Sequence, residues 1–130
     1  MLVTPLFAAL FGVLYFILSI NVVRFRLGQR VSLGNGDNQD IEKAIRIHAN
    51  FIEYVPLILL LFYFYEVMSL SSSLVLFLAS TLFIARVCHI IGMVNPTELV
   101  LLRQVGAAVT FLVLVVISCA LALKYIPVSV

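Results

Sequence analysis

Residues 99–123, LVLLRQVGAAVTFLVLVVISCALAL, contain a single charge, Arg103. A hydrocarbon core of about 30 Å takes roughly 20 apolar residues as a helix, so this stretch is long enough to cross a bilayer and too apolar to rest in water. Three runs of the same kind precede it, Leu2 to Val23, Ala44 to Tyr65 and Leu70 to Met93. A β-barrel would show short alternating strands instead of continuous blocks. The whole chain agrees: 64% of its 130 residues are apolar, 11% are charged and the mean hydropathy is +1.22, far from soluble averages. The expected fold is all-α, a four-helix transmembrane bundle forming one domain over residues 1–130, with helices at about 2–25, 40–67, 70–93 and 97–124.

Orientation follows from the loops. The segment between the first two runs carries Arg24, Arg26, Arg30 and Lys43, whereas Glu66 to Ser73 holds no Lys or Arg. That bias puts the first loop in the cytoplasm, and four crossings then put both termini on the other side. The first run has no positive charge before it, so it is expected to stay as a helix instead of being cleaved as an export signal. A net charge of +2 reflects this topology and argues for no nucleic-acid partner. Gly34-Asn35-Gly36-Asp37-Asn38 reads as a turn, with Asn38 or Asp40 capping the second helix. Asn95-Pro96-Thr97-Glu98 reads as the start of the fourth. Pro56 should bend the second helix locally. Cys88 and Cys119 have no companion at ligand spacing, so no metal is expected.

The informative residues are the polar ones inside apolar runs, because a charge at mid-membrane costs at least about 2.5 kcal/mol. Arg46, Asn50 and Glu53 recur at i, i+4 and i+7 and share one stripe of the second helix. Arg86 and His89 share a face of the third, and His48 and Cys88 point away from these stripes. In the deduced topology the ends bearing Arg24, Arg26, Arg46, Arg86, His89 and Arg103 lie in one leaflet, while the other halves hold only Glu66 and Lys124 near the interface. One leaflet thus contains a polar chamber. Pairing of Glu53 with Arg86 or Arg46 would hold helices in register, yet Glu53 alone faces five arginines. The surplus calls for an anion, either a carboxylate, which guanidinium grips at two points, or a lipid headgroup. A transporter is disfavoured, since no polar path continues through the second leaflet.

Arg46-Ile47-His48-Ala49-Asn50-Phe51-Ile52-Glu53-Tyr54-Val55-Pro56, then Ala85-Arg86-Val87-Cys88-His89, then Arg103, resemble the MAPEG superfamily, the membrane-associated proteins in eicosanoid and glutathione metabolism. The similarity covers nearly the whole chain and is nearer to small bacterial inner-membrane members than to eukaryotic synthases. It implies a homotrimer embedded among membrane lipids, with glutathione as co-substrate held between subunits near the cytoplasmic face. By the same resemblance Arg24, Arg46, Asn50, Glu53 and His89 bind glutathione and Arg103 is the catalytic residue that stabilises the thiolate; Arg86, by the charge pairing above, is expected to supply a supporting ion pair. The activity implied is a glutathione transferase, extending to a peroxidase, acting on a lipophilic electrophile; the alternative is a non-catalytic protein of the same fold that binds glutathione or lipid. Some synthases carry an arginine where this chain has Ala49 and an aromatic hydroxyl where it has Met93. Those departures count against specialised leukotriene or prostaglandin synthesis.

Overall fold

The structure is a computed structural model, and it describes residues 2–68, 72–95 and 99–125. It contains α1 (Thr4–Gln29), α2 (Gln39–Val67), α3 (Ser72–Val94) and α4 (Val100–Tyr125), with no strand among the described residues. Each helix is long and apolar enough to cross a membrane. Large side chains such as Leu6, Phe16, Phe77, Leu101 and Leu112 are exposed on the outside of the bundle, as a lipid solvent permits.

α1 starts two residues later than the apolar run, with Pro5 in its first turn, where a missing N–H costs nothing. It also runs past residue 25, because Arg26-Leu27-Gly28-Gln29 contains no proline and a single glycine is tolerated inside a helix, and it stops where Arg30 turns left-handed at φ 56°. Asn38 caps α2, its Oδ1 accepting from the N–H groups of Asp40 and Ile41 at 2.9 and 3.2 Å. Asp40 and Glu42 then sit in the first turn, where the helix dipole favours negative charge. In the preceding turn Gly36 has φ 57°, and a Cβ there would lie 2.6 Å from Val31 Cγ2. α2 continues through Pro56. Residues 96–98 of the expected fourth-helix cap lie outside the described residues.

α1 packs chiefly on α2 and α3 chiefly on α4; α2 touches all three others, and α1 does not meet α4. Phe11, Ile58, Phe62, Val75, Leu82 and Ile117 are fully buried between them. Lipid tails are as apolar as leucine, so helices gain little from excluding them and associate through close packing and polar contacts. Both devices are present. A Cβ on Gly106 would stand 2.5 Å from the Ala85 carbonyl and 2.8 Å from His89 N, and one on Gly92 would stand 2.5 Å from Arg103 N. The α3 and α4 backbones therefore touch at the residues flanking His89 and Arg103.

The polar device is Glu66. Its carboxylate is buried at 5% exposure and accepts from Val3 N at 2.8 and 3.1 Å and from Thr4 N at 2.8 Å. Val3 offers no capping side chain of its own, so α2 closes the N-terminus of α1. Glu66→Ala should lower the thermal unfolding midpoint in detergent, with a loss of about 1–3 kcal/mol for the stranded donors. Glu66→Gln, which keeps one acceptor, should fall between. An unchanged midpoint in Glu66→Ala would show that this cap contributes nothing.

Candidate functional site

Three helices meet around a cavity of about 270 Å³ lined by Arg46, Ala49, Asn50 and Glu53 of α2, His89 and Met93 of α3, and Arg103 of α4. Five of the six residues expected to handle the ligand thus share one pocket. The i, i+4, i+7 spacing delivers the α2 group, and the Gly92 and Gly106 contacts bring α4 close enough to α3 to complete it. His89, 5% exposed, places Nδ1 2.9 Å from the carbonyl oxygen of Arg103. A carbonyl only accepts, so Nδ1 carries the proton. This bond ties the two helices at the pocket wall.

The charges do not cancel. Arg46 uses Nε to contact Glu42 at 3.1 Å, an i,i+4 pair on an exposed side chain. Such a pair is worth only about 0.3–0.5 kcal/mol, and the ends of the guanidinium remain for a ligand. Arg103 Nη1 lies 3.9 Å from Met93 Sδ, a weak acceptor that leaves its donors available. Glu53 is exposed and forms no ion pair among the described residues. Two arginines and one unpaired carboxylate face one small volume, which suits a ligand with a surplus of negative charge and one cationic group.

Among the described residues Arg86 forms no ion pair. Arg86 is wholly buried and donates through Nη2 to Asn50 Oδ1 at 2.9 Å, with its guanidinium 5.8 Å from the centre of the Phe51 ring. Glu53 lies a turn further along α2 on an uncovered surface, and Asn50 intercepts the guanidinium first. Pairing of Arg46 with Glu53 is likewise replaced by the contact with Glu42.

Arg24 is the other departure within one chain. It lines a separate cavity of about 680 Å³ together with Lys43, Asp40, Phe16, Ile20 and Ile90, away from the remaining five. His48, which points away from the polar stripe, packs against α1: its ring lies 5.0 Å from that of Tyr15, and Nε2 is 3.2 Å from Ser19 Oγ. Ser19 donates its own proton to the Tyr15 carbonyl, so it accepts from His48. The pair joins α1 to α2 and is no nucleophile and base. Among the described residues no three of His, Cys, Asp or Glu gather at metal-binding distance.

The contribution of Gly92 and Gly106 escapes a reading of charges; their only signal is glycine inside an apolar helix at a level shared with polar residues. Ala49 and Met93 stand out as departures from the synthase pattern, and both prove to be pocket walls.

Among known proteins, the model of the MAPEG family matches residues 4–123, from the first residue of α1 almost to the end of α4. The chain belongs to the MAPEG family. It is similar to the inner membrane protein YecN of Escherichia coli K12, with 34% identity over 91 residues, 70% of each protein. YecN of Escherichia coli O6:H1 strain CFT073 matches to the same extent. No solved structure matches. For this MAPEG chain the family covers all four helices, so the pocket where three of them meet lies wholly inside the matched region.

Proposed function

We propose that this protein is a membrane-bound glutathione transferase that adds the glutathione thiolate to lipophilic electrophiles arriving from the bilayer. The observation that carries the reading is the gathering of Arg46, Asn50, Glu53, His89 and Arg103 around one cavity. Glutathione has two carboxylates and one ammonium, and the pocket offers two guanidinium groups and one unpaired carboxylate. A cation beside the sulfur favours its charged, nucleophilic form, which is the part given to Arg103. The sulfur then forms a bond to the electrophilic carbon while that carbon's leaving group, or the electron pair of an activated double bond, takes the displaced charge. MAPEG membership supports the choice of glutathione.

Assembly as a homotrimer is part of the proposal. Glu53 lies about 21 Å from Val67 along α2, hence about 9 Å inside a 30 Å hydrocarbon core, and it is exposed in the single chain. An ionised carboxylate does not face lipid at that depth, so a neighbouring subunit covers it. In the same assembly Arg24 reaches the pocket from the neighbour. Calorimetric titration with glutathione should give saturable binding to the purified trimer, weakened in Arg46→Ala by about 1.5–3 kcal/mol for one charge-assisted contact. Native mass spectrometry of that sample should show three chains. Absence of binding defeats the glutathione reading, and a monomer with full affinity defeats the trimer.

The bacterial inner membrane is the proposed location, supported by the name of the YecN relatives, with the pocket in the cytoplasmic leaflet and both termini outside. After replacement of Cys88 and Cys119, a cysteine at Leu33, 86% exposed, should be labelled only from the cytoplasm. One at the exposed Ser73 should be labelled only from the other side. The reverse pattern would move the pocket to the outer leaflet.

Ala49 and Met93 favour a second reading. With neither an extra guanidinium nor a hydroxyl at those walls, the pocket holds glutathione with less help for the reacting sulfur. A non-catalytic binding protein would then show full affinity and no turnover.

A further inference from the structure

Arg86 is fully buried, yet among the described residues its Nε and Nη1 have no hydrogen-bond partner. Its one hydrogen bond among the described residues is from Nη2 to Asn50 Oδ1. A buried guanidinium so poorly satisfied costs stability, and an apolar residue of similar size would pack at less cost. Arg86 does not line the pocket; Asn50 does, and Arg86 stands behind it.

The chemistry of that bond fixes the asparagine. A guanidinium has donors and no acceptor, so the Asn50 atom facing it must be the carbonyl oxygen, and the amide cannot flip. Its NH₂ is then turned from Arg86, and no hydrogen bond among the described residues uses Nδ2. We infer that Arg86 is a positioning residue that locks Asn50 as a hydrogen-bond donor to the ligand, so that the ligand group seated against Asn50 is a carbonyl or carboxylate oxygen. One turn further along α2, Glu53 can only accept when ionised, so it takes the ligand's ammonium. The α2 stripe therefore reads an acceptor and a cationic donor in a set order, which orients an amino-acid-like head and rejects its reverse. This deepens the glutathione reading and rests on it for the choice of probe.

Four variants test the lock by glutathione titration, with the thermal midpoint of each as a record of folding. Asn50→Asp keeps an oxygen for Arg86 but exchanges the ligand's donor for an anionic acceptor; affinity should fall at least about tenfold, with the midpoint kept or raised. Asn50→Ala should lose less affinity than Asn50→Asp, because it removes the donor without adding repulsion. Arg86→Lys, which can only donate, should stay within about threefold of wild type. Arg86→Gln, which can donate or accept, frees the amide to flip and should lose several-fold more affinity than Arg86→Lys. A purely structural role would make the affinities of the two Arg86 variants follow their midpoints. Equal affinity in those variants, or wild-type affinity in Asn50→Asp, would overturn the inference. If wild type does not bind glutathione, the glutathione reading fails separately. The lock is then judged by the Asn50 side-chain amide resonances in detergent, which should hold position in Arg86→Lys and move in Arg86→Gln; no movement in either would refute it.

Discussion

Arg103→Ala is expected to reduce turnover of a lipophilic electrophile by about 100-fold, the usual scale for removing one donor to a developing or formed anion, while glutathione affinity changes by much less. The separation follows from where the guanidinium acts. Its side-chain contact among the described residues is the soft Met93 Sδ at 3.9 Å, which leaves its charge for the sulfur in the proposed reading, and the interaction is strongest with the thiolate. Arg46, at the start of the α2 stripe, should behave in the opposite way, with binding lost and chemistry at saturation largely kept. Steady-state kinetics at saturating glutathione, with calorimetric affinity for each variant, separate the two roles. If Arg103→Ala loses affinity and turnover in the same proportion as Arg46→Ala, Arg103 is only a binding residue.

Gly106→Ala is expected to be the most disruptive small substitution in the bundle. The added Cβ would meet the Ala85 carbonyl at 2.5 Å and both N and Cβ of His89 at 2.8 Å. These are backbone atoms or atoms fixed to it, so no side-chain rotation relieves the clash and α4 must move away from α3. Overpacking of this kind costs about 1–3 kcal/mol. The movement also pulls Arg103 O from His89 Nδ1, now 2.9 Å apart, and opens the pocket between them. Both the thermal midpoint and glutathione affinity should therefore fall. Gly12→Ala is the matched control, because a Cβ there meets nothing within 4 Å; it should leave both unchanged. Similar results for the two glycines would mean that the α3–α4 contact tolerates separation and does not set the site.

Most of the architecture is legible from hydropathy alone, because in lipid a spanning helix needs length and apolarity and little else. The helix ends are less so. Arg26 to Gln29 extend α1 beyond the apolar run, since a helix continues into the interface until the backbone turns, here at Arg30. The stripe Arg46, Asn50, Glu53 is legible as a periodicity, and it delivers all three residues to the pocket.

Pairing is the part that charge counting misjudges. Opposite charges suggested Arg86 with Glu53, but proximity and burial decide, and Asn50 is the nearer acceptor. Glu66 looked like a lone interfacial carboxylate; its role emerges only when α1 folds back to bring the N–H groups of Val3 and Thr4 against it. Arg24 belongs to the polar leaflet by sequence and to a different cavity by geometry.

The most direct test of thiol activation is the ultraviolet absorbance of glutathione thiolate bound to the wild-type protein, followed against pH. Free cysteine thiols titrate near 8.5. With Arg103 beside the sulfur, the bound fraction should absorb as thiolate well below that pH, and Arg103→Ala should return it toward the free value. Glutathione that binds to wild type but titrates as it does in water would contradict catalysis by this pocket and leave a binding protein in its place.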